Sequence, residues 1–341
     1  WSSDVCSSDL LTGIEILGSD FRFETRISYD GFLDESGTLK GNIYIEGGGD
    51  PTFGSDRIEG NLNTTDMIDR IAEDISSFGI HCIEGCIIAD ESVFNSFPVS
   101  PSWQWNDLGN YYAAGAWGLN INENQYSIYF HRNGPIGTMS KIAYFDPIIP
   151  DLEMNNEVTI DKPDRGDNAY IFGGPYHFGK RVVGTIPQGN TLYRIKGSIP
   201  DPPLYVAYRL KKALEKKDMG LLLHKTQYQA GVSKENRVLI SRYYSPPLST
   251  IVRFTNDHSI NLYAEAILKV LGAKFKNSGS GSEGISVIKD YLVNSGIEIT
   301  PFHMEDGSGL SARNLMSPDF MTSFLLHFGK EKGIAQLSKL L

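Results

Sequence analysis

The spacing of apolar residues along the chain predicts several helices. Apolar residues at positions 67, 68, 71, 72 and 75 recur at helical spacing, so we predict a helix over Thr65–Ile75 that begins at a capping threonine. An amphipathic helix with a basic outer face is predicted over Leu204–Lys217. Residues Leu262–Leu271 are apolar nearly all round except for Glu265 and Lys269, an i,i+4 pair of opposite charge, which predicts a helix buried on most sides.

The rest of the sequence predicts β-strands. Apolar and polar residues alternate near its start, and its middle part favours many short strands. Phe21–Tyr29 and Gly41–Glu46 alternate apolar and polar residues, and residues 100–200 combine short strands, aromatics, Gly and Pro without helical periodicity. A single helix that ends at Gly18 stands near the start of the sequence, and the C-terminal part is rich in helices. The sequence between them is β-rich. We therefore predict one domain built from residues 11–25 and 243–341, with inserted β-rich domain(s) over residues 26–242.

Both ends of the sequence look incomplete. Residues 1–10 form a Ser/Asp-rich tract that abuts an apolar helix without a start methionine, so we expect this tract to be non-native. The sequence stops at Leu341 inside text that reads as helical and lacks a cap. We expect a fragment whose true N-terminus is missing, so the lack of a visible signal peptide carries no information.

Composition narrows the class of protein. At 341 residues two or more domains are expected, and 40% hydrophobic with 21% charged residues is typical of a folded globular chain. A net charge of −10 argues against nucleic acid or an anionic membrane surface as a partner. No run of 18 apolar residues is present, so we expect no transmembrane segment. Neither a cofactor nor a metal site is predicted.

The tripeptide Ser259-Ile260-Asn261 is the candidate catalytic element. A hydroxyl and an amide two residues apart can relay a proton and hold a peptide carbonyl, as serine acyltransfer chemistry needs. The simpler interpretation of the tripeptide alone is a helix N-cap, because Ser259 directly precedes the apolar helix and serine is a common cap. The surrounding sequence has to decide between the two.

The stretch Ser245–Lys269 resembles the second active-site motif of class C penicillin-binding proteins, the serine D-alanyl-D-alanine carboxypeptidases and endopeptidases. Other segments resemble the same family in the same order, and together they cover residues 11–341: Leu11–Thr25, Gly41–Thr52, Trp105–Tyr112, Gly118–Asn124, Asp201–Pro203 and Asp306–Ser311. The resemblance implies an α/β (α+β) multidomain fold, with a β-lactamase/transpeptidase-like domain carrying β-rich insertions.

The family uses three catalytic motifs, and only the second is present in this sequence. Ser-x-x-Lys would carry the nucleophile and base, and Lys-Thr-Gly would bind the terminal carboxylate of the substrate. By spacing from Gly18 the nucleophile would fall on Ser3 and the lysine on Cys6, inside the tract expected to be non-native. No Lys-Thr-Gly occurs, and Ser286-Val-Ile-Lys289 fits Ser-x-x-Lys only in the wrong order, so we interpret it as a helix face.

Asp306-Gly307-Ser308-Gly309 has two open interpretations. It could be a loop at the cleft edge with Ser308 and Gly309 near substrate, or a plain turn. The family often places arginine directly after Gly-Leu-Ser. Here Ala312 intervenes and Arg313 comes one position later, so we do not assign it to substrate.

The resemblance implies a periplasmic or extracytoplasmic serine peptidase that cleaves D-Ala-D-Ala in peptidoglycan stem peptides through an acyl-enzyme and is inhibited by β-lactams. Ser259 would relay the proton to the leaving amine, and Asn261 would bind substrate and position the lysine. The polypeptide as given is expected to be inactive, because nucleophile and base act as a unit. The alternatives are a non-catalytic peptidoglycan-binding relative and an unrelated amidohydrolase that uses Ser286 and Lys289.

Overall fold

The computed structural model describes residues 2–95, 97–217, 220–221, 226–228 and 234–333. Seven α-helices lie in these ranges: α1 (Ser2–Leu17), α2 (Thr64–Ser77), α3 (Pro202–Lys216), α4 (Leu248–His258), α5 (Asn261–Phe275), α6 (Gly281–Asn294) and α7 (Pro318–Lys332). The strands are β1 (Glu24–Tyr29), β2 (Phe32–Leu33), β3 (Thr38–Lys40), β4 (Ile43–Glu46), β5 (Cys82–Ile83), β6 (Ile87–Asp90), β7 (Gln125–His131), β8 (Lys141–Asp146), β9 (Glu153–Asp161), β10 (Tyr170–Phe172), β11 (Gly179–Pro187), β12 (Tyr193–Ser198), β13 (Gly220–Leu221), β14 (Thr226–Tyr228), β15 (Val238–Tyr244), β16 (Phe302–His303) and β17 (Leu315–Met316).

The chain divides into two compact units. The first unit is built from residues 1–102, 116–123 and 202–341, and the second from residues 103–115 and 124–201. The mixture of helices and several sheets agrees with the α/β (α+β) multidomain fold expected from the sequence. The second unit lies wholly inside the predicted insertion over residues 26–242, which otherwise belongs to the first unit.

The core of the first unit is formed by helices packed around α5. Helices α1, α4 and α6 all contact α5, whose residues from Leu262 to Gly272 are buried without a break. The even spread of apolar side chains around this helix is the reason, since a helix apolar on every side is stable only when covered on every side. The buried environment predicted for residues 262–271 is confirmed.

The first unit also contains a five-stranded sheet with the strand order β14-β6-β4-β1-β15, a four-stranded sheet ordered β13-β5-β3-β2, and the strand pair β16-β17. Strand β1 pairs antiparallel with β4 and with β15, and β4 pairs parallel with β6. The paired strands β1 and β15 cross the predicted domain boundaries at residues 25/26 and 242/243. Those boundaries stay a prediction.

The second unit consists of two three-stranded sheets, ordered β12-β7-β8 and β10-β11-β9. Their inner faces carry apolar side chains such as Ile128, Phe130 and Val182, each fully buried. Lys180 of β11 is also buried, with its Nζ 5.6 Å from the ring centroid of Tyr126 on β7. Strand-rich text between residues 100 and 200 was predicted, and the six strands of this unit confirm it.

The helix predicted from Thr65 is confirmed as α2, but its cap is Asn63 and not a threonine. The Asn63 side-chain oxygen accepts a hydrogen bond from the Asp66 backbone N–H at 3.0 Å. The helix α4 was missed altogether, because Ser245-Pro-Pro-Leu-Ser249 reads as a break in structure. Those two prolines stand ahead of α4, where they are compatible with a helix start.

Candidate active site

Ser259 lies at the junction of α4 and α5, and it ends the first helix without capping the second. Its backbone is left-handed, with φ 52° and ψ 55°, and its N–H donates to the Thr255 carbonyl at 2.7 Å. The N-cap of α5 is Ile260, which makes no side-chain cap. The N-cap interpretation of Ser259 is therefore wrong. Ser259 is the C-cap of α4, and its left-handed backbone is not that of an N-cap residue. Ser259 is exposed and Asn261 is half-buried.

The polar residues of α5 share one face of the helix. Asn261, Glu265 and Lys269 follow one another at intervals of four residues, so their side chains line up along the helix. Glu265 and Lys269 are each 3% exposed. Each binds backbone groups from other segments, so they act as anchors and not simply as the charge pair that the sequence suggests.

Glu265 holds the loop Asp306–Gly309 against α5. Its Oε1 accepts hydrogen bonds from the backbone N–H groups of Gly307 and Ser308, both at 2.8 Å. Burial, and then the charge of Asp306, raise the pKa of Glu265 to about 7. The loop is thereby fixed one helical turn beyond Asn261.

Asp306 organises the same loop from within. Its Oδ1 accepts from the Gly309 N–H at 2.9 Å, and its Oδ2 accepts from the Ser311 N–H at 2.7 Å. The Ser308 hydroxyl donates to Oδ2 at 3.3 Å, and Gly309 has a φ of +76°, which favours glycine. The loop is a buried, self-bonded turn that stands beside the Ser-x-Asn helix. Contact of Ser308 and Gly309 with substrate stays a prediction.

Lys269 connects α5 to two segments elsewhere in the first unit. Its ammonium group donates to the Phe97 carbonyl at 2.6 Å and to the Ala116 carbonyl at 3.0 Å. Burial lowers the pKa of Lys269 to about 8, while Glu265 and Glu91 act in the opposite direction. Glu265 and Lys269 both line a cavity of about 370 Å³.

Tyr263 fixes the first turn of α5, two residues after Asn261. Its side chain is completely buried, and its hydroxyl donates to Glu123 Oε1 at 2.9 Å. The same Glu123 oxygen also accepts from the Ser55 hydroxyl. Burial, followed by the charge of Glu123, raises the pKa of Tyr263 well above its usual range. The turn that carries Asn261 is therefore anchored on the side away from solvent.

Asp9 on α1 is a buried acid that reaches the same cluster. It is fully buried, and among the described residues its carboxylate oxygens have only the adjacent backbone N–H groups of Asp9 and Leu10 beside them, neither at good hydrogen-bond geometry. Burial first, and then the charges of Glu265 and Asp306, raise its pKa well above its usual range. A Cβ atom on Gly307 would lie 2.6 Å from Asp9 Oδ2. The carboxyl of Asp9 therefore packs directly against the Asp306–Gly309 loop and leaves room there only for glycine.

The structure brings Asn261, Ser308 and Gly309 to one region around α5, and Ser259 precedes that helix directly. Ser3 and Cys6 belong to α1, but their side chains lie outside the described residues. Ser286 and Lys289 are half-buried on α6, which fits the helix-face interpretation.

Sequence reasoning missed Glu265, Tyr263 and Glu123 as supports of the site. These three residues stand within or beside apolar segments of the sequence. A polar or charged side chain buried in such a segment needs a partner, and this was the signal that could have identified them. Among the described residues, no group of three or more His, Cys, Asp or Glu side chains could hold a metal ion. In the same part of the chain, every helix is too short or too polar to cross a membrane.

Comparison with known proteins identifies the class. A model of the D-Ala-D-Ala carboxypeptidase 3 (S13) family matches residues 10–341, so the chain belongs to this family. The chain is similar to the D-alanyl-D-alanine carboxypeptidase DacB of Haemophilus influenzae, with 24% identity over 329 residues, covering 93% of this chain and 63% of that protein. It is also similar to the D-alanyl-D-alanine carboxypeptidase of Actinomadura sp. (strain R39), with 22% identity over 92% of this chain and 57% of that protein.

The solved structures agree on the fold. Penicillin binding protein 4 (dacB) from Haemophilus influenzae superposes with a TM-score of 0.81 at 20% identity, covering 98% of this chain and 71% of that chain. The fold expected from the family resemblance is therefore confirmed. The present chain spans only 63% and 57% of the two curated relatives, and the family match begins after the first nine residues.

Proposed function

We propose that the whole protein is a serine-type D-Ala-D-Ala carboxypeptidase or endopeptidase that acts on peptidoglycan stem peptides. The observation that carries this proposal is the family match over residues 10–341, together with Ser259-x-Asn261 held at the start of the buried helix α5. The names of its relatives support the reaction class.

The reaction would be an acyl transfer to a serine. The serine oxygen attacks the carbonyl of the penultimate D-Ala, the peptide C–N bond breaks, and the terminal D-Ala leaves as an amine. Water then attacks the ester and releases the shortened peptide. Ser259 would pass the proton from the nucleophile toward the leaving amine, and Asn261 would bind the acyl amide and position the basic lysine.

The surroundings of the motif support these roles. Ser259 is exposed at a left-handed turn, while Asn261 stands on a helix that Tyr263, Glu265 and Lys269 connect to three other segments of the first unit. A proton relay needs a fixed position, and a helix start buried among several partners supplies one. We further propose that the backbone around Ser308 and Gly309, one turn along α5, borders the bound peptide.

The substrate class sets the proposed partners and location. Peptidoglycan stem peptides would bind in the cleft, and β-lactams would acylate the same serine as inhibitors. We place the whole protein in the periplasm or another extracytoplasmic compartment, where peptidoglycan is found. The domains proposed are a transpeptidase-like domain of residues 11–25 and 243–341, inserted β-rich domain(s) of residues 26–242, and a non-native tract of residues 1–10.

The test uses the whole protein expressed from its complete gene, with release of D-Ala from a pentapeptide ending in D-Ala-D-Ala as the readout. Ser259→Ala and Asn261→Ala are each expected to lower kcat by about 10²–10³, the usual cost of losing a proton relay or an oriented amide. Ser286→Ala is the matched control and should leave the rate unchanged. Full activity of Ser259→Ala, or loss of activity in Ser286→Ala, would overturn the assignment.

A further inference from the structure

The buried ammonium group of Lys269 holds a loop of the first unit that carries an exposed aromatic side chain. It donates to the Phe97 carbonyl at 2.6 Å and to the Ala116 carbonyl at 3.0 Å, with a longer contact of 3.5 Å to Asn95 Oδ1. An ammonium group has three N–H donors, so these uncharged acceptors use all of them. We call residues 95 and 97–101 the Phe97 loop.

The Phe97 loop is also fastened at both of its ends. The Asn95 N–H donates to the Gly279 carbonyl at 3.1 Å, just before α6 begins. At the other end the Ser100 hydroxyl donates to the Glu305 carbonyl at 3.2 Å. Glu305 directly precedes the loop Asp306–Gly309, so the Phe97 loop is attached beside the backbone that we place at the bound peptide.

The ring of Phe97 stands in solvent on this fixed backbone. Its side chain is 69% exposed, and a ligand that covered it would gain the free energy of apolar burial. A backbone already held in place loses little entropy on binding, which favours such a contact. Single exposed apolar side chains are common on protein surfaces, so the location of Phe97 matters more than its exposure. Phe97 lines the cavity of about 370 Å³ that Glu265 and Lys269 also line.

The lining of this cavity suits an uncharged segment of peptide. Apolar side chains and hydroxyl groups from three segments of the first unit form much of it: Phe97, Val99, Ile285, Met304, Ser100 and Ser282. Its charged groups already have partners, since Glu265 accepts from backbone N–H groups, Lys269 donates to carbonyls, and Glu305 lies 3.0 Å from His303 Nε2. Apolar walls accommodate methyl groups, and hydroxyls exchange hydrogen bonds with peptide amides.

The cavity lies within the reach of a short peptide bound at Asn261. Glu265 and Lys269 follow Asn261 by one and two turns of α5, which is about 6 Å and 12 Å along the helix axis. An extended peptide covers about 3.3 Å per residue, so a few residues span this distance.

We propose that Phe97 contacts the stem peptide on the acyl side of the scissile bond, and that Lys269 is the positioning residue that holds Phe97 there. The acyl side is chosen because Asn261 is proposed to bind the acyl amide, whereas the terminal carboxylate belongs to the Lys-Thr-Gly motif, which this chain lacks. This inference rests on the proposed function, because that function supplies the peptide. It adds an apolar contact, on a separate loop, to the polar contact proposed for Asn261.

The test uses the whole protein from its complete gene and a pentapeptide ending in D-Ala-D-Ala. Phe97→Ala should lower kcat/KM for D-Ala release by about five- to tenfold and leave kcat unchanged, because the lost contact is equal in the ground state and the transition state. Phe97→Leu keeps an apolar side chain and should lose less than about twofold. Phe275→Ala is the matched control, since it removes another exposed phenylalanine of the first unit and should leave kcat/KM unchanged.

A second substrate separates a lost contact from a disturbed fold. The β-lactam 6-aminopenicillanic acid has no acylamino side chain, so it cannot extend to Phe97. Its rate of acylation of the nucleophilic serine should therefore be the same in Phe97→Ala as in the unchanged protein. A disturbed active site would slow the β-lactam and the peptide alike.

The role of Lys269 is tested by a double-mutant cycle. Lys269→Met keeps the aliphatic stem but frees the Phe97 loop, so it should lower kcat/KM for the peptide. Adding Phe97→Ala to this variant should cause little further loss, because both changes remove the same contact. If Lys269→Met does not fold, Ser100→Ala takes its place in the cycle, since it frees the other end of the loop.

Three results would overturn the proposal: an unchanged kcat/KM for the peptide in Phe97→Ala, an equal loss for the peptide and the β-lactam, or losses that multiply in the double variant. If the unchanged whole protein releases no D-Ala, the proposed function fails and this inference fails with it. If D-Ala is released and Phe97→Ala matches the unchanged protein, only this inference fails.

Discussion

The neighbouring helices α1 and α5 each place a carboxyl group in the same buried cluster, but the two carboxyl groups differ in their hydrogen bonds. Glu265 of α5 has two backbone N–H partners, whereas neither oxygen of Asp9 on α1 accepts a well-aligned hydrogen bond from the part of the chain that the structure describes. A buried polar group with partners stabilises a fold, and one without partners costs free energy. The difference indicates that the surrounding structure accommodates the carboxyl of Glu265 but not that of Asp9, which lies one residue before the segment that the family model matches.

The largest effect is expected from Glu265→Ala. It would leave the N–H groups of Gly307 and Ser308 without their acceptor and so lower the free energy of unfolding by about 2–5 kcal/mol. Urea denaturation of the chain measures this. Below pH 4.5, where Glu265 is protonated in both the folded and the unfolded state, Glu265→Gln keeps an oxygen acceptor and should lie within about 1 kcal/mol of the unchanged chain. Equal stability of the Ala and Gln variants would show that Glu265 does not hold the loop.

Asp9→Ala is expected to act in the opposite direction. It removes a buried acid that accepts no well-aligned hydrogen bond among the described residues, so the free energy of unfolding should rise by about 1–3 kcal/mol. Asp20→Ala is the control, because the same substitution at this exposed position should change stability by less than about 0.5 kcal/mol. A destabilising Asp9→Ala would show that the carboxyl at this position has a partner after all.

The pH dependence of stability follows from the pKa of Glu265. Its pKa is raised from 4.5 to about 7 on folding, so the folded state binds this proton more tightly than the unfolded state. Stability from this group is therefore complete at low pH and is lost as pH rises from 4.5 to about 7. The stability difference between the unchanged chain and Glu265→Gln should shift by roughly 1.4 kcal/mol for each pKa unit separating the two states. A pH-independent difference would contradict the shift.

The smallest effect is expected at Ser259. A non-glycine residue at a φ of 52° costs roughly 1 kcal/mol, so Ser259→Gly should stabilise the chain by up to about that amount in urea denaturation. Ser259→Ala keeps the strain and should not stabilise. If Ser259→Gly did not raise the free energy of unfolding, the left-handed backbone at Ser259 would not be strained.

The sequence predicted α5 well because its apolar residues leave no polar face except at a few positions. The cap of α7 shows what a local signal looks like, because the Ser317 side chain accepts from the N–H of Phe320, three residues later, at 3.1 Å. The N-cap interpretation of Ser259 failed because it overlooked the helix α4 that ends at this residue, and two prolines conceal the start of α4 in the sequence.

The supports of the site could not be predicted from spacing. Glu123 is far from Tyr263 in sequence, and the loop held by Glu265 follows about forty residues later, so only the tertiary fold brings them together. The pair Glu265 and Lys269 was visible as an i,i+4 pattern, but its backbone partners were not. Local sequence patterns predict helices. The segments that those helices bind depend on long-range hydrogen bonds, which local patterns do not reveal.

Labelling of this chain with a fluorescent penicillin tests the central claim most directly. The claim is that the chain has the family fold and the Ser-x-Asn element, but no Ser-x-x-Lys ahead of it and no Lys-Thr-Gly. We therefore expect cooperative unfolding of the chain but no covalent label, while the whole protein from its complete gene is labelled with one equivalent. Stoichiometric labelling of this chain at Ser3, Ser259 or Ser286 would contradict the account.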